Sequence, residues 1–517
     1  MDVIHPSASG RGRLAGPAVV GVLTAAIALG VGELVAAFTG PDTSPVLAVG
    51  GVMVDASPEW LKSFAIRTLG TLDKPALVIG IVAVLLGLSV AVGIASRRRP
   101  RLAIGALLVL GAVGAAAAAS RPGNGIASIL SSLAATAAGL LAYVRLRDAA
   151  GLDAGPGPPT IPAYDRRRFL RAGATAAGIA VAAGGIGRML ASRAGAADSR
   201  AAARIPPPIE PTPSPPPDPS FDVPGVSPYR TPNADFYRVD TSLFVPSVDA
   251  AAWSLRVHGM VERELRLEYA DVLARPMIER DVTLACVSNQ IGGPYVGNAT
   301  WVGTRLADLL DEAGVHPDAT QLVSRSVDGF TIGTPTAIVM DGRDAMLAVG
   351  MNGEPLPLEH GFPVRIVIPG LYGYVSATKW LVDLELTTLE AYDAYWIARG
   401  WAKEAPVKTQ SRIDTPRPGA RVDAGSVPVA GVAWAQHRGI YRVEVRVDGG
   451  PWREATLGLR GSIDTWRQWL YRWDATPGRH VLAVRATDGD GRLQTDDRAA
   501  PFPDGATGYH EISVEVS

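Results

Sequence analysis

Thr283-Leu284-Ala285-Cys286-Val287-Ser288-Asn289-Gln290 holds the only cysteine in 517 residues. One cysteine cannot close an internal disulfide. It is therefore a buried inert thiol, a free nucleophile or a single thiolate ligand to a metal. Asp281–Val287 carries a strand pattern that ends at this cysteine.

The chain around it is uneven. Lys+Arg total 49 and Asp+Glu 50, so no basic excess calls for a nucleic-acid partner. Apolar residues crowd the first 195 positions and charges follow position 200. That asymmetry predicts a membrane region followed by a water-soluble one.

Four segments, approximately Leu14–Phe38, Pro75–Ala95, Leu102–Ser120 and Gly125–Val144, are apolar over about the 20 residues a bilayer requires. A fifth, Phe169–Leu190, is richer in Ala and Gly. Asp42–Lys74, with Trp60 and Phe64, reads as an amphipathic connection, on the membrane surface or as an ordinary loop. Basic residues cluster before the first span, at Arg97–Arg101, and at Arg145–Arg171. The positive-inside rule then places the N-terminus inside and everything after Ser192 outside the cytoplasm. No histidine lies in a span, which excludes bis-histidine haem within it. Glu33, near the end of the first span, reads as an interfacial structural carboxylate.

Asp165-Arg166-Arg167-Arg168-Phe169-Leu170-Arg171 resembles the twin-arginine export signal, with its motif at 166–171. Ala194-Gly195-Ala196 is a candidate cleavage site. The proline-rich run 205–220 reads as a semi-rigid stalk.

From Phe221 to about Ala405, strand runs alternate with turns and short helices, which is an α+β pattern with strands predominating. Arg305–Ala313 is an amphipathic helix closed by Gly314. After about Gln410, Val427–Val432, Tyr441–Val447, Arg453–Leu457, Trp466–Trp473 and His480–Thr487 are strand runs at sandwich spacing, with turns at Asp448-Gly449 and Asp488-Gly489. The organisation expected is 1–195 membrane region with four to five helices, 196–220 linker, 221–405 α+β domain, and 406–517 all-β immunoglobulin-like sandwich.

Several pieces in order carry a resemblance. They are Asn233-Ala234-Asp235-Phe236-Tyr237-Arg238, Leu284–Asn289, Gly303-Thr304-Arg305-Leu306, Met351–Pro357, His360-Gly361-Phe362-Pro363-Val364-Arg365, Pro369–Gly373 and Lys379-Trp380. Together they resemble the sulfite oxidase family of molybdopterin oxidoreductases over roughly 225–390. The run from Gly431 to Trp469 is similar to that family's C-terminal dimerisation domain, which implies a homodimer.

The resemblance implies a molybdenum-molybdopterin cofactor with Cys286 as thiolate ligand to the metal. His360, Arg365 and Lys379 fall at cofactor-contacting positions, and Arg and Lys are the right donors for the pterin phosphate. Asn233, Phe236 and Tyr237 belong to the segment that touches the pterin. Ser326 and Ser376 are further cofactor candidates. Arg238 and Asn289 join Cys286 as catalytic candidates. The family's two arginines after the cysteine motif are here Gln290 and Ile291, which removes charge from the expected anion pocket. That favours a neutral or larger substrate such as an S-oxide or N-oxide, in a mouth lined by Gln, Ile and Tyr, while Arg238 could supply one charge for sulfite. The implied chemistry is oxygen-atom transfer on a small molecule by a membrane-anchored, extracytoplasmic enzyme. The chain has no haem-attachment motif and a single cysteine, so a separate cytochrome or membrane redox partner is implied. Two other readings stand beside this one: a cell-surface binding module on a degenerate fold, and a thiol enzyme, which would need a base near Cys286.

Overall fold

The computed structural model describes residues 12–40, 43–58, 61, 68, 73–120, 126–150, 152, 166–192, 196–212, 220–242 and 245–517. The chain divides into two compact units, Met1–Ala194 with Ser242–Val245, and Gly195–Thr241 with Pro246–Ser517.

The first unit is helical: α1 Gly12–Thr39, α2 Pro45–Ala56, α3 Asp73–Ser96, α4 Pro100–Ala119, α5 Leu130–Ala149 and α6 Arg166–Ser192. Among the described residues four stretches are long and apolar enough to cross a membrane: Gly16–Thr39, Ala76–Ser96, Pro100–Ala119 and Ala127–Ala149. The fifth expected segment lies within α6, where the apolar run Leu170–Ile186 is shorter. Small residues let these helices touch backbone to backbone. A Cβ on Gly21 of α1 would lie 2.0 Å from the Ser89 carbonyl of α3, and one on Gly30 would lie 2.7 Å from the Ala180 carbonyl of α6. Within the expected connection Asp42–Lys74, the described part includes α2, capped by Ser44. Asp42, Trp60 and Phe64 lie outside the described residues, as do Asp165 of the arginine motif and Ala194-Gly195 of the cleavage candidate.

The second unit begins with α7, Ala196–Ala202. Residues 205–212, the start of the run read above as a stalk, pack against this unit. Ile209 N–H donates to Met277 O at 2.9 Å and Glu210 pairs with Ile278 as a parallel bridge. Glu210 also meets Arg305 at 2.6 Å and Arg280 at 2.8 Å, and these guanidiniums hold its carboxyl down at about 2. Proline removes donors but leaves carbonyls and neighbouring N–H groups free to pair along a sheet edge. Residues 213–219 lie outside the described set.

Ten strands follow: β1 Ser254–Gly259, β2 Leu265–Glu268, β3 Met277–Ala285, β4 Val296–Arg305, β5 Gln321–Ser326, β6 Thr331–Pro335, β7 Met346–Met351, β8 Glu354–Pro355, β9 Arg365–Val367 and β10 Leu381–Thr387. They form two sheets, β2-β1-β10-β5-β6 and β3-β4-β7-β8, with β9 paired to β7. The amphipathic segment Leu306–Ala313 is α8, and Gly314 closes it at φ +70°. The Pro363–Pro369 run is a strand only over Arg365–Val367. Trp301 and Phe362 are fully buried at the centre of the shared core.

The C-terminal region is β-rich: β11 Gln410–Thr415, β12 Arg421–Val422, β13 Gly425–Trp434, β14 Ile440–Val447, β15 Arg453–Glu454, β16 Thr456–Leu457, β17 Arg467–Ala475, β18 Gly478–Asp488 and β19 His510–Val516. Two sheets, β11-β13-β17-β16 and β12-β19-β18-β14-β15, enclose one core around Trp469 and Val443. This region buttresses β3. Thr283 N–H donates to Asp464 O, Gln436 Nε2 donates to Thr283 O, and Trp466 N–H donates to Thr283 Oγ1, at 2.9, 2.9 and 2.7 Å.

Candidate functional site

β3 delivers Cys286 to the end of a buried strand, where the next residues turn sharply. Cys286 N–H donates to Tyr295 O at 2.9 Å, and Asn289 N–H donates back to Cys286 O at 3.0 Å. Asn289 Oδ1 accepts from Tyr295 N–H at 2.8 Å, closing the loop on itself. The C-terminal region grips the same loop. Arg412 donates to Gly293 O at 2.9 Å, and a Cβ on Gly292 (φ +71°) would lie 2.2 Å from His510 Nε2. Burial pushes the Cys286 thiol up, opposed by hydrogen bonds from Ser288.

The thiol lines a cavity with an empty volume of about 900 Å³. Phe236, Tyr237, Ser326, His360, Arg365 and Lys379 share its wall, so seven of the eleven sequence candidates converge. Arg365, on β9, is 4% exposed. Its guanidinium donates to the His360 carbonyl at 3.1 Å and stacks 4.8 Å from the Trp301 ring. No ion pair reaches Arg365 among the described residues, and burial lowers its pKa to about 10. Lys379 follows the buried turn after Tyr374 and pairs with Asp240 at 2.7 Å. Burial brings it down to about 8 even against that carboxylate. His360 is lowered to about 4 by burial and then by Arg365, so it is neutral at pH 7. Its Nε2 lies 3.2 Å from Asn233 O, which assigns the proton to Nε2 and leaves Nδ1 a bare acceptor. Burial also raises the Tyr237 hydroxyl.

Four candidates lie off the cavity wall. Asn233 supports it from behind: its carbonyl holds His360 and its side chain bonds Asn352 at 2.8 Å. Ser376 Oγ donates to the Leu371 and Tyr372 carbonyls at 3.2 and 3.0 Å, which stabilises the turn before Lys379. Arg238 bonds Asp240 at 2.8 Å, and Asn289 closes its own loop. Gln290 and Ile291 are also absent from the wall. Ile291 faces the C-terminal region, where a Cβ on Gly508 would lie 2.9 Å from its Cδ1. Of the expected Gln/Ile/Tyr lining only tyrosines are present, Tyr237 and Tyr374, and the rest of the wall includes Phe330, Trp396, Trp401 and Asp328. Trp401 stacks edge-on with Trp396 at 6.2 Å and with Phe502 at 5.4 Å.

Asp240 is the principal group that sequence reasoning missed. It sits two residues beyond Arg238 and compensates both Arg238 and Lys379, and its spacing alone gave no signal. The aromatic wall was equally unreadable, because it joins loops distant in sequence.

Residues 242–396 match the family described as oxidoreductase molybdopterin binding domain. Sulfite oxidase of Gallus gallus is 31% identical over 322 residues, covering 52% of this chain and 69% of that protein. The chain belongs to the sulfite oxidase family. The mitochondrial sulfite oxidase of Homo sapiens is 30% identical over 342 residues, and the match spans 56% of this chain and 62% of that relative's length. The sulfane dehydrogenase SoxCD of Paracoccus pantotrophus superposes with TM-score 0.50 at 24% identity, over 56% of this chain and 82% of that one, which shows a common fold. Family membership implies a molybdenum-molybdopterin cofactor. The cavity fits such a group. It offers one thiol, a second buried cation and, among the described residues, a buried guanidinium without a carboxylate partner and a buried, unpartnered Ser326 hydroxyl. A buried uncompensated cation is costly, and a phosphate relieves that cost.

Proposed function

We propose that this chain is a membrane-anchored, extracytoplasmic molybdopterin-dependent oxidoreductase acting on a small neutral S- or N-oxide. The observation that carries the reading is the meeting of Cys286, Arg365 and Lys379 in one buried cavity. When bound, the molybdenum-pterin group supplies oxygen-atom transfer. Cys286 is its thiolate ligand, Arg365 and Lys379 bind the phosphate, and Ser326 donates to it. Neutral His360 offers its Nδ1 lone pair to a cofactor N–H, and Phe236 and Tyr237 wall the pterin. Asn233, Ser376 and Asn289 position these groups, while Arg238 shares Asp240 with Lys379.

The neutral substrate follows from charge. Among the described residues the cations on the cavity wall are the two buried ones, and the wall also carries Asp328 among aromatic rings. A dianion would meet no unpaired cation there. Trp401, whose indole N–H is buried without a partner among the described residues, belongs to this wall. The degenerate-module reading leaves the unpaired buried Arg365 unexplained.

Membrane anchoring rests on the four long apolar helices, and the extracytoplasmic side requires α6 to cross as a fifth. Its close approach to α1 at Gly30 and Ala180 supports that crossing. The domain plan is a membrane region, a molybdopterin domain ending near 405 and an immunoglobulin-like dimerisation domain beyond it. Electrons pass through a separate redox partner.

The test is molybdenum and organic-phosphate analysis of the full chain from a cofactor-competent host, beside Cys286→Ala. Near-stoichiometric molybdenum, with the variant keeping pterin phosphate but losing oxide reduction, is the expected result. Well-folded protein without molybdenum overturns the reading.

A further inference from the structure

The helical unit holds a cavity that the cysteine site does not use. α1 to α5 line it, and it is open along one side, where Leu88, Leu110 and Val113 are exposed. The wall is nearly all aliphatic and contains no lysine, arginine, histidine or carboxylate. Ser89 and Thr136 donate to carbonyls of their own helices at 2.8 and 2.7 Å, as hydroxyls in membrane helices usually do. Ser132 Oγ does not. Ser132 is 1% exposed and its hydroxyl has no partner among the described residues. An unpaired hydroxyl in apolar surroundings is costly, so it marks a place where a ligand acceptor would be held.

The two ends of the cavity differ. Ala28 packs on Gly139 and Gly32 on Ala135, so α1 and α5 run antiparallel in close contact. Thr24 then lies level with Tyr143, about three turns or roughly 16 Å from Ser132. The Ser132 end is polar. A Cβ on Gly114 would lie 2.9 Å from Ser132 Oγ and 3.5 Å from Pro45. Ser44, next to Pro45, donates to the Glu33 carboxylate. The Thr39, Thr43 and Ser131 hydroxyls bond one another nearby at 2.7 to 3.0 Å. The opposite end carries Tyr143 and Thr24, whose hydroxyl is likewise buried without a partner among the described residues, and the wall between the two ends is mostly aliphatic, so the head-group end is chosen by the polar cluster around Ser132.

We propose that this cavity binds a prenylated quinone, with a head-group carbonyl on Ser132 and the isoprenoid tail running toward Thr24. The absence of cations on the wall disfavours a phosphate head group. The long aliphatic section suits an isoprenoid chain, and Ser132 supplies the donor that a quinone carbonyl needs. The proposal stands on the helical unit alone and does not depend on the Cys286 site.

The test is isothermal titration of decylubiquinone into the full chain in mild detergent, with decanol as the non-quinone arm. Saturable binding of about one quinone per chain, with decanol not saturating, is expected. Ser132→Ala weakens it about tenfold, the equivalent of one hydrogen bond. Ala106→Phe fills the cavity and abolishes binding, while Thr24→Val at the far end leaves it unchanged. Equal binding of decanol, no saturable quinone binding, or wild-type affinity in Ser132→Ala overturns the proposal. Because Ser132→Ala and Thr24→Val barely change volume, they keep the test decisive if Ala106→Phe fails to fold.

Discussion

Arg365→Met should leave the cofactor-free protein about as stable as the parent while stripping it of cofactor. The guanidinium is buried with no carboxylate, and burial brings it down to about 10. Holding it charged at pH 7 therefore costs roughly 3 kcal/mol, a penalty the methionine removes. Against this stand the Trp301 stacking, up to about 2 kcal/mol, and the bond to the His360 carbonyl, about 1 kcal/mol. The terms nearly cancel, and the apo variant should lie within about 1 kcal/mol of the parent. Cofactor binding has no such cancellation. Loss of one or two charge-assisted bonds to phosphate costs about 1.5 to 3 kcal/mol each, a tenfold or greater drop in retention. The assay is urea unfolding of both proteins from a pterin-deficient host, beside pterin content of both from a competent one. An apo variant destabilised by more than about 3 kcal/mol with normal pterin content would refute the reasoning, because Arg365 would then be a structural residue.

Three further outcomes follow from the same geometry. Lys379 has its folded pKa depressed to about 8, so between roughly pH 8 and 10 the unfolded chain binds more protons and apo stability should rise with pH. Lys379→Met should flatten that rise, and in the parent retention of the cofactor should fall across the same window; equal slopes for both proteins would count against a buried Lys379. Asp240→Asn strips Lys379 and Arg238 of their shared carboxylate and should cost about 1 to 3 kcal/mol in thermal unfolding, while Asp328→Asn, in the outer wall, should cost less than about 0.5. Gly292→Ala places a Cβ against His510 at a left-handed backbone position and should destabilise by about 1 to 3 kcal/mol, with weaker metal retention; an unfolding midpoint equal to the parent's would remove the C-terminal region from support of the cysteine loop.

Much of the molecule was legible in the chain because its signals are local. Hydropathy over about 20 residues marked the apolar helices. Strand alternation placed β13, β14, β17 and β18 to within a few residues, and the amphipathic run ending at Gly314 located α8. The lone cysteine with its ordered motif set identified the cavity, since seven of its residues sit in short runs whose spacing survives in one dimension. What failed was non-local. The prolines at 206–208 looked like a spacer, yet the backbone around them pairs with β3, a contact made across some seventy residues. Ile291 follows the cysteine closely, but the positive φ at Gly292 and the packing of Gly508 turn it away from the cavity. Asn289 and Ser376 satisfy backbone groups of their own turns, as short polar side chains do when a loop closes tightly. The sequence determined which elements form and which chemistry they carry. Only the tertiary structure decided that Asp240 balances Lys379, that Arg365 is left unbalanced, and that aromatic rings from separate loops make the outer wall. Those outcomes depend on charge and burial in three dimensions, and no spacing along the chain encodes them.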